Sequence, residues 1–264
     1  MILAVDIGNS NIVIGGIEAD TICFEARLRT DSTKTSDEYC IDLKMILDVY
    51  KVCDQDIEGA IISSVVPQVL NSIKTAIKKL TGKNALVVGP GLKTGLNIKI
   101  ENPSQTGADL VVGSVAALRE HKPPLIVIDM GTATTMIVLD ETGALIGGCI
   151  CPGVKISLDA LTDRTALLPG LQLEQPKKAI GRNTIDCMRS GIMMGNACML
   201  DGMIQRMEEE LGQKTTVVIT GGIAKFIAPM CKTEMIYDKD LLLKGLSRLY
   251  KENSFTAAGR KAVQ

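Results

Sequence analysis

Two acidic turns, about half a chain apart, carry the residues best suited to bind phosphate. The first follows residues 2–5, a continuous apolar run, and contains Asp6, Gly8 and three small polar residues. A carboxylate at the end of a buried strand is costly unless it meets a cation or hydrogen-bond donors, and glycine allows the backbone to approach a ligand closely. We therefore predict that Asp6 holds Mg²⁺, directly or through water, while the turn wraps the phosphates of ATP. A hairpin turn without a ligand is the alternative interpretation.

A second copy of the pattern surrounds Asp129. Residues 125–128 are apolar, and Gly131 and a run of small residues beginning with Thr132 follow the acid. In both copies an apolar strand comes next, then a turn, then a returning strand. Because internal repetition is a direct sign of architecture, the two copies predict a duplicated fold with a phosphate site between the halves.

A third acid, Asp109, follows Gly107 and Ala108 near the start of a predicted helix. An Asp in a first helical turn is stabilised by the helix dipole and needs no chemical role. The two small residues before it, however, leave room for a ligand to reach the carboxylate, which favours a general base. The residues alone leave both interpretations open.

The elements that must position these acids alternate between strands and helices. Each half is predicted to contain a strand pair, a helix, a strand and a second helix, which describes an α/β chain of two similar halves. Ser36 and Asp37 are expected to cap the first helix. Near the C-terminus a strand ends at Gly221 and Gly222, and the helix start that follows suits a ribose or an α-phosphate. The predicted helices cover residues 37–50, 67–80, 104–120, 154–162, 185–211 and 241–250.

Composition argues against several other classes of function. The chain has 264 residues, 46% of them hydrophobic, which is enough for a sizeable core in one or two domains. A formal net charge of −1 and only 3% aromatic residues argue against a nucleic-acid partner. Neither a membrane span nor a signal peptide is indicated, so we expect a cytoplasmic protein. Eight Cys without CxxC spacing and a single His predict reduced thiols and no zinc site. GxxxxGK[ST] is missing, which excludes a P-loop enzyme, and no GxGxxG follows a strand, which leaves a Rossmann cofactor site unsupported.

These residues resemble the type III pantothenate kinases, a family within the actin and hexokinase superfamily of two-lobed phosphotransferases. The resemblance covers nearly the whole chain, and its most specific part is Gly107-Ala108-Asp109 combined with the Asp129 turn. The further motifs that carry it are residues 6–11, Glu101-Asn102-Pro103, Gly147-Gly148 with Pro152-Gly153, Arg164-Thr165-Ala166 with Leu168-Pro169, Asn183-Thr184 with Ser190-Gly191, and Thr220-Gly221-Gly222.

The resemblance implies an α/β fold of two duplicated ribonuclease-H-like domains, of the actin and hexokinase type, with a cleft between them. The halves would be residues 1–121 and 122–264. The implied activity is ATP-dependent phosphorylation of the primary hydroxyl of pantothenate to 4′-phosphopantothenate, the first step of coenzyme A biosynthesis. The family acts as a homodimer, with the substrate site near the subunit interface.

The resemblance also implies roles for single residues. Asp109 would take the hydroxyl proton, and Asp129 would bind a monovalent cation, K⁺ or NH₄⁺. Residues expected at the substrate are Gly107, Ala108, Asp109, Leu110 and Thr184. Residues expected at ATP are Asp6, Ile7, Gly8, Asn9, Ser10, Asn11, Ile12, Val13 and Thr132, to which the helix-start argument adds Gly221 and Gly222.

Two positions depart from the family pattern. Leu110 stands where the family usually has Arg, and Ile100 where it usually has Tyr. Leu110 removes a cation able to orient an anionic substrate, and the candidates to replace that cation are Lys99, Lys155 and Arg164. Three interpretations therefore stay open: a pantothenate kinase, a relative with another hydroxylated substrate or without activity, and an actin-like ATP switch that does not need Asp109.

Overall fold

The computed structural model describes residues 1–261, with side chains up to residue 254. It divides into two compact units. Unit 1 comprises Met1–Leu96, Asn102–Ala116 and Asp240–Gln264, and unit 2 comprises Asn97–Glu101 and Ala117–Lys239. The C-terminal segment thus belongs to unit 1, and the halves 1–121 and 122–264 stay a prediction about the duplication.

Unit 1 is built on a five-stranded sheet. Its strands are β1 (Ile2–Ile7), β2 (Asn11–Glu18), β3 (Thr21–Arg29), β4 (Gly59–Ser64) and β5 (Leu86–Val87), in the order β3-β2-β1-β4-β5. The first three strands form an antiparallel meander, and β4 and β5 continue the sheet in parallel with β1. Because β1 is buried on both faces, its residues are apolar except for Asp6.

Helices lie on both faces of this sheet. Helices α1 (Ser36–Val49) and α2 (Pro67–Thr81) share one core with alternate residues of β1, β2 and β4. The last helix, α8 (Leu241–Lys261), lies on the opposite face, where Leu243 packs against Gly15 and Tyr250 against Gly59. Helix α3 (Ala108–Glu120) contacts α8 through Val112 and Gly245.

Unit 2 contains a second five-stranded sheet. Its strands are β6 (Leu125–Met130), β7 (Ala133–Leu139), β8 (Leu145–Pro152), β9 (Thr216–Thr220) and β10 (Ile236–Tyr237), in the order β10-β9-β6-β7-β8. Reversed, this order is β8-β7-β6-β9-β10, which matches unit 1 strand for strand with the same parallel and antiparallel pairs. The two sheets confirm the predicted duplication and the α/β class.

The helices of unit 2 cover one face of its sheet. They are α4 (Val154–Asp163), α5 (Thr184–Arg189), α6 (Gly195–Leu211) and the single turn α7 (Ala224–Ile227). The helix predicted over 185–211 is therefore observed as α5 and α6, joined by a π-helical segment at Ser190–Met194. Such segments are rare and are frequently found at functional sites. No helix in the described part of the chain is long and apolar enough to cross a membrane.

Three details of the predicted helices are wrong. The cap of α1 is Thr35, not Ser36 or Asp37: its hydroxyl accepts from the Glu38 N–H at 3.3 Å, and the Glu38 carboxylate accepts from the Thr35 N–H at 2.8 Å. This reciprocal pair is a capping box. Helix α3 begins at Ala108 rather than at residue 104, because Pro103–Gln105 forms a separate 3₁₀ turn. Helix α8 continues to Lys261 instead of ending at Tyr250.

Candidate functional site

Asp6 lies one residue before the end of β1, and its side chain is buried, with 9% exposed. The strand register places it beside Val13 of β2 and Ser63 of β4. Since Val5 and Ile7 belong to the core under α1 and α2, strand alternation puts Asp6 on the opposite face of the sheet. Asp6 is thus a carboxylate in an otherwise apolar strand, at the edge where β1 and its parallel neighbour both end.

The turn after Asp6 is held by backbone contacts. The Gly8 N–H donates to the Asn11 carbonyl at 3.0 Å. Thr30, directly after β3, anchors the turn from the side: its hydroxyl donates to the Gly8 carbonyl at 2.7 Å and its N–H donates to the Ser10 carbonyl at 3.1 Å. Sequence reasoning missed Thr30, because only the pairing of β2 with β3 brings it to the turn.

Some of the residues predicted to contact the ATP phosphates have buried side chains, and others have exposed ones. Ile7 and Ile12 are fully buried in the core, so only their backbone atoms can reach a ligand. The side chains of Asn9, Ser10 and Asn11 are exposed. Within this turn, the backbone and three small polar side chains are therefore the groups available to an anion.

Asp109 lies in the first turn of α3, and Gly107 leaves room for its carboxylate. An ideal Cβ added to Gly107 would lie inside 3.0 Å of Asp109 Oδ1, closer than real Cβ atoms come to a neighbour. The same Oδ1 accepts from the Leu110 N–H at 2.9 Å. Ala108, the first residue of the helix, adds only a methyl group. The Gly-Ala-Asp sequence thus leaves room for the orientation of the carboxylate that the Leu110 N–H stabilises.

The environment of Asp109 raises the pKa of its carboxyl. The residue is half-buried, and burial raises the pKa of its carboxyl above the ordinary value of 3.8, while the hydrogen bond from Leu110 acts in the opposite direction. A carboxylate with a raised pKa is a stronger base than an exposed one. Asp109 therefore has the chemistry that a proton acceptor needs.

Asp129 occupies the equivalent place in unit 2. It is half-buried, lies one residue before the end of β6, and has Thr135 of β7 and Thr220 of β9 beside it in register. The Gly131 N–H donates to the Ala133 carbonyl at 3.1 Å, which closes the tip that carries Thr132. As in the turn after Asp6, the N–H of the glycine donates to a backbone carbonyl further along the turn.

Two glycines pack against the Asp129 turn. A Cβ on Gly153 would overlap the Thr132 carbonyl oxygen and would lie 2.8 Å from the Gly131 carbonyl oxygen. Gly221 has a φ of +103°, and a Cβ there would lie 2.5 Å from the Met130 carbonyl oxygen. Close packing and backbone conformation together require Gly221 to be glycine. Gly222 is exposed and is followed by the single turn of α7, so the contact of both glycines with a nucleotide stays a prediction.

Thr184 lies elsewhere in unit 2. It is exposed at the start of α5 and lines an open, mainly apolar hollow of about 430 Å³. The π-helical segment contributes Gly191 and Ile192 to the same hollow. The remaining lining residues are Leu161, Leu168, Cys187 and Met188.

The donor set fits Mg²⁺ better than a metal that needs a protein cage. Among residues 1–254, no group of three or more His, Cys, Asp or Glu side chains is arranged to hold a metal ion. Mg²⁺ is commonly bound through one or two carboxylates together with substrate phosphates, and Asp6 with its closed turn provides that arrangement.

Burial raises the pKa of Cys149 to about 11 and that of Cys231 to about 12, so both thiols stay protonated near neutral pH.

Lys99, Lys155 and Arg164, the candidates to replace the family Arg that is Leu110 here, differ in whether they are already ion-paired. Lys99 donates to Asp140 at 3.1 Å and Lys155 pairs with Asp159, so both are engaged within unit 2. Arg164 is exposed after the end of α4 and has no ion pair with another described residue. Leu110 itself is half-buried.

Comparison with known proteins identifies close relatives. Residues 2–206 match the family model of the type III pantothenate kinases. A type III pantothenate kinase of Halalkalibacterium halodurans is 42% identical over 253 residues, which cover 96% of this chain and 100% of that one.

Two solved structures share the fold at 13% identity. The activator of the 2-hydroxyisocaproyl-CoA dehydratase from Clostridium difficile, with bound ADPNP, has a TM-score of 0.59 and covers 98% of this chain and 97% of its own. The inorganic polyphosphate/ATP-glucomannokinase from Arthrobacter sp. strain KM has a TM-score of 0.50 and covers 97% and 98%.

Proposed function

Because the chain belongs to the type III pantothenate kinase family, we propose that it transfers the γ-phosphoryl group of ATP to the primary hydroxyl of pantothenate. The product is 4′-phosphopantothenate, and the reaction is the first step of coenzyme A biosynthesis. The observation that carries the proposal is the likeness over nearly the full length of a kinase of this name.

Asp109 is the general base of this proposal. The carboxylate takes the proton of the hydroxyl as its oxygen bonds to phosphorus, and the γ-phosphoryl group leaves ADP. The raised pKa of Asp109 supports this role, since a base works best when its pKa approaches the working pH. The local geometry supports it too, because Gly107 leaves room for the carboxylate and the Leu110 N–H donates to it.

The two acidic turns serve the phosphates and the cations. Neither turn contains Lys or Arg, so the charge neutralisation that phosphoryl transfer requires is supplied by bound cations. In this proposal Asp6 holds Mg²⁺ and the backbone of residues 7–13 lies along the phosphates, with Thr132 assisting. Asp129 holds K⁺ or NH₄⁺.

Pantothenate itself would contact Gly107, Ala108, Leu110 and Thr184, with two copies of the chain forming a cytoplasmic homodimer. The exposed position of Thr184 at the rim of an apolar hollow is compatible with contact to a ligand or a second copy. Of the cations considered as substitutes for the family Arg, exposed Arg164 suits an anionic substrate best, because Lys99 and Lys155 are ion-paired.

One assay separates this function from the open alternatives. The chain is incubated with ATP, Mg²⁺, K⁺ and pantothenate, and 4′-phosphopantothenate is detected by mass spectrometry beside ADP release. The parent forms the product, whereas Asp109→Asn loses turnover and retains ATP binding. Failure to form 4′-phosphopantothenate with all four components present overturns the proposal. ADP release that is unchanged in Asp109→Asn points to the actin-like switch.

A further inference from the structure

The hydroxyl of Ser63 is buried beside Asp6 without a hydrogen-bond partner. Ser63 lies one residue before the end of β4, is 0% exposed, and its Oγ has no partner among the described residues. Leaving a buried hydroxyl unpaired costs free energy, so the presence of a fully buried Ser63 after the apolar residues Ala60, Ile61 and Ile62 needs a reason.

The strand register places this hydroxyl next to the acid. β1 and β4 run in parallel with Asp6 opposite Ser63, and neighbouring strands lie about 4.8 Å apart. Ala60 and Ile62 face the core under α1 and α2, so Ser63 faces the other side, as Asp6 does. Two side chains at the same register and on the same face are direct neighbours across the pair of strands, so a change of side-chain rotamer can join them in a hydrogen bond.

The duplication repeats the pair. In unit 2, Thr220 of β9 lies opposite Asp129 of β6, again one parallel strand away and again buried, with 3% exposed. The residues before each hydroxyl, Ile62 and Ile219, are fully buried and apolar. A requirement for packing alone would be met equally well by Ala or Val at both places. Each acid instead has a hydroxyl beside it at the same register, and a hydroxyl is able to donate a hydrogen bond to a carboxylate.

We propose that Ser63 is a positioning residue for Asp6 when Mg²⁺·ATP binds: its Oγ–H then donates to one oxygen of the Asp6 carboxylate and orients that carboxylate toward Mg²⁺. Carboxylates that serve metals are commonly held in this way, and loss of such a partner typically weakens metal affinity 10- to 100-fold. The inference rests on the proposed function only in that Asp6 serves Mg²⁺·ATP.

The test measures binding rather than turnover. A non-hydrolysable ATP analogue is titrated into the full chain by calorimetry at several Mg²⁺ concentrations, and melting temperatures are recorded with and without it. We expect Ser63→Ala to weaken Mg²⁺-dependent binding of the analogue about 10-fold. The melting temperature of the ligand-free protein should not fall, because an unpaired hydroxyl contributes nothing to stability. Ser63→Thr, which copies the residue of unit 2, should restore binding.

Two matched controls separate positioning from packing. Ser114 of α3 and Ser247 of α8 also carry buried hydroxyls without a partner among the described residues. Ser114→Ala and Ser247→Ala should leave binding of the analogue at the parental level. Equal losses in all three Ala variants, or parental binding by Ser63→Ala at every Mg²⁺ concentration, would overturn the inference.

The outcome is separable from that of the proposed function. A parent chain that binds the Mg²⁺-analogue complex but phosphorylates no pantothenate refutes the proposed substrate and leaves the role of Ser63 standing. If Asp6→Ala binds the complex as tightly as the parent, Asp6 does not serve the metal, and the inference about Ser63 fails with it.

Discussion

Replacement of Gly107 by Ala is expected to abolish most activity through the orientation of Asp109 alone. The added Cβ would lie inside 3.0 Å of Asp109 Oδ1, whereas ordinary contact begins at 3.4 Å. The backbone of Gly107 is not in the left-handed region, so Ala fits the conformation and the carboxylate has to give way. It must move on the order of 1 Å, which also breaks the hydrogen bond from the Leu110 N–H.

The size of the effect follows from that displacement. A misplacement of about 1 Å at a reacting group costs roughly 100-fold in rate, or about 2.7 kcal/mol in activation free energy. We expect this loss in kcat for ADP release with saturating pantothenate, measured by a coupled spectrophotometric assay. The affinity for ATP should stay within about twofold of the parent, because Asp109 takes no part in holding phosphates in the proposed site.

Gly89→Ala is the matched control. Gly89 lies in the same unit, has no positive φ, and has open space where its Cβ would be, so this variant should keep parental kcat. The reasoning is refuted if Gly107→Ala retains kcat within twofold of the parent while its fold is intact by circular dichroism. A fall in kcat that is matched by Gly89→Ala would show that loop flexibility, not the carboxylate, is responsible.

Three further predictions concern the other parts of the site. Burial raises the pKa of Asp109, so the acid limb of kcat/KM should lie above the ordinary Asp range. The folded state then holds this proton more tightly than the unfolded state does, and stability is lost as pH rises through the raised pKa. Asp109→Asn should therefore have a higher melting temperature than the parent at pH 7. Below pH about 4 the two proteins should have the same melting temperature. Thr30→Val removes the hydroxyl that anchors the first turn and should weaken binding of the ATP analogue about 3- to 10-fold. Thr33→Val, which alters a hydroxyl in the next loop, should not. Gly153→Ala should destabilise the fold by about 1–3 kcal/mol in chemical denaturation. Gly202→Ala, with open space in α6, should stabilise it by up to about 1 kcal/mol.

Each of these predictions has an outcome that contradicts it. An acid limb at the ordinary Asp range, or lower stability of Asp109→Asn at pH 7, would mean that the carboxylate is solvated. Equal binding by the Thr30 and Thr33 variants would show that the turn needs no anchor from β3. Parental stability of Gly153→Ala would mean that the turn at residues 131–132 yields to a methyl group.

The fold could be predicted largely from the repeat. Apolar runs that end in Asp and a glycine turn identify β1 and β6, and the hairpins after them follow from the turn residues. The common strand order of the two sheets then follows from the same connections made twice. The errors occur at helix ends. Thr35 rather than Ser36 caps α1, because the partner at Glu38 decides which hydroxyl is used.

The candidate site was only partly predictable, because several of its contacts join residues far apart in the chain. Asp6, Asp109 and Asp129 could be selected from the sequence, since an acid beside glycine is a local pattern. Thr30 and Ser63 could not be assigned a role, because only strand pairing brings them to Gly8 and Asp6. A hydroxyl at the end of a buried strand was the single signal for Ser63 in the sequence.

The duplicated register makes the relation between acid and hydroxyl a property of the fold. In a parallel pair, a shift of one residue would turn Ser63 to the opposite face and place Ile62 or Ser64 beside Asp6 instead. The same shift between β6 and β9 would separate Thr220 from Asp129. The registers of β4 and β9 therefore determine which side chain lies beside each acid. Neither of these strands carries an acidic motif itself. For that reason, motif recognition identifies the acids, whereas their partners emerge only from the pairing of strands.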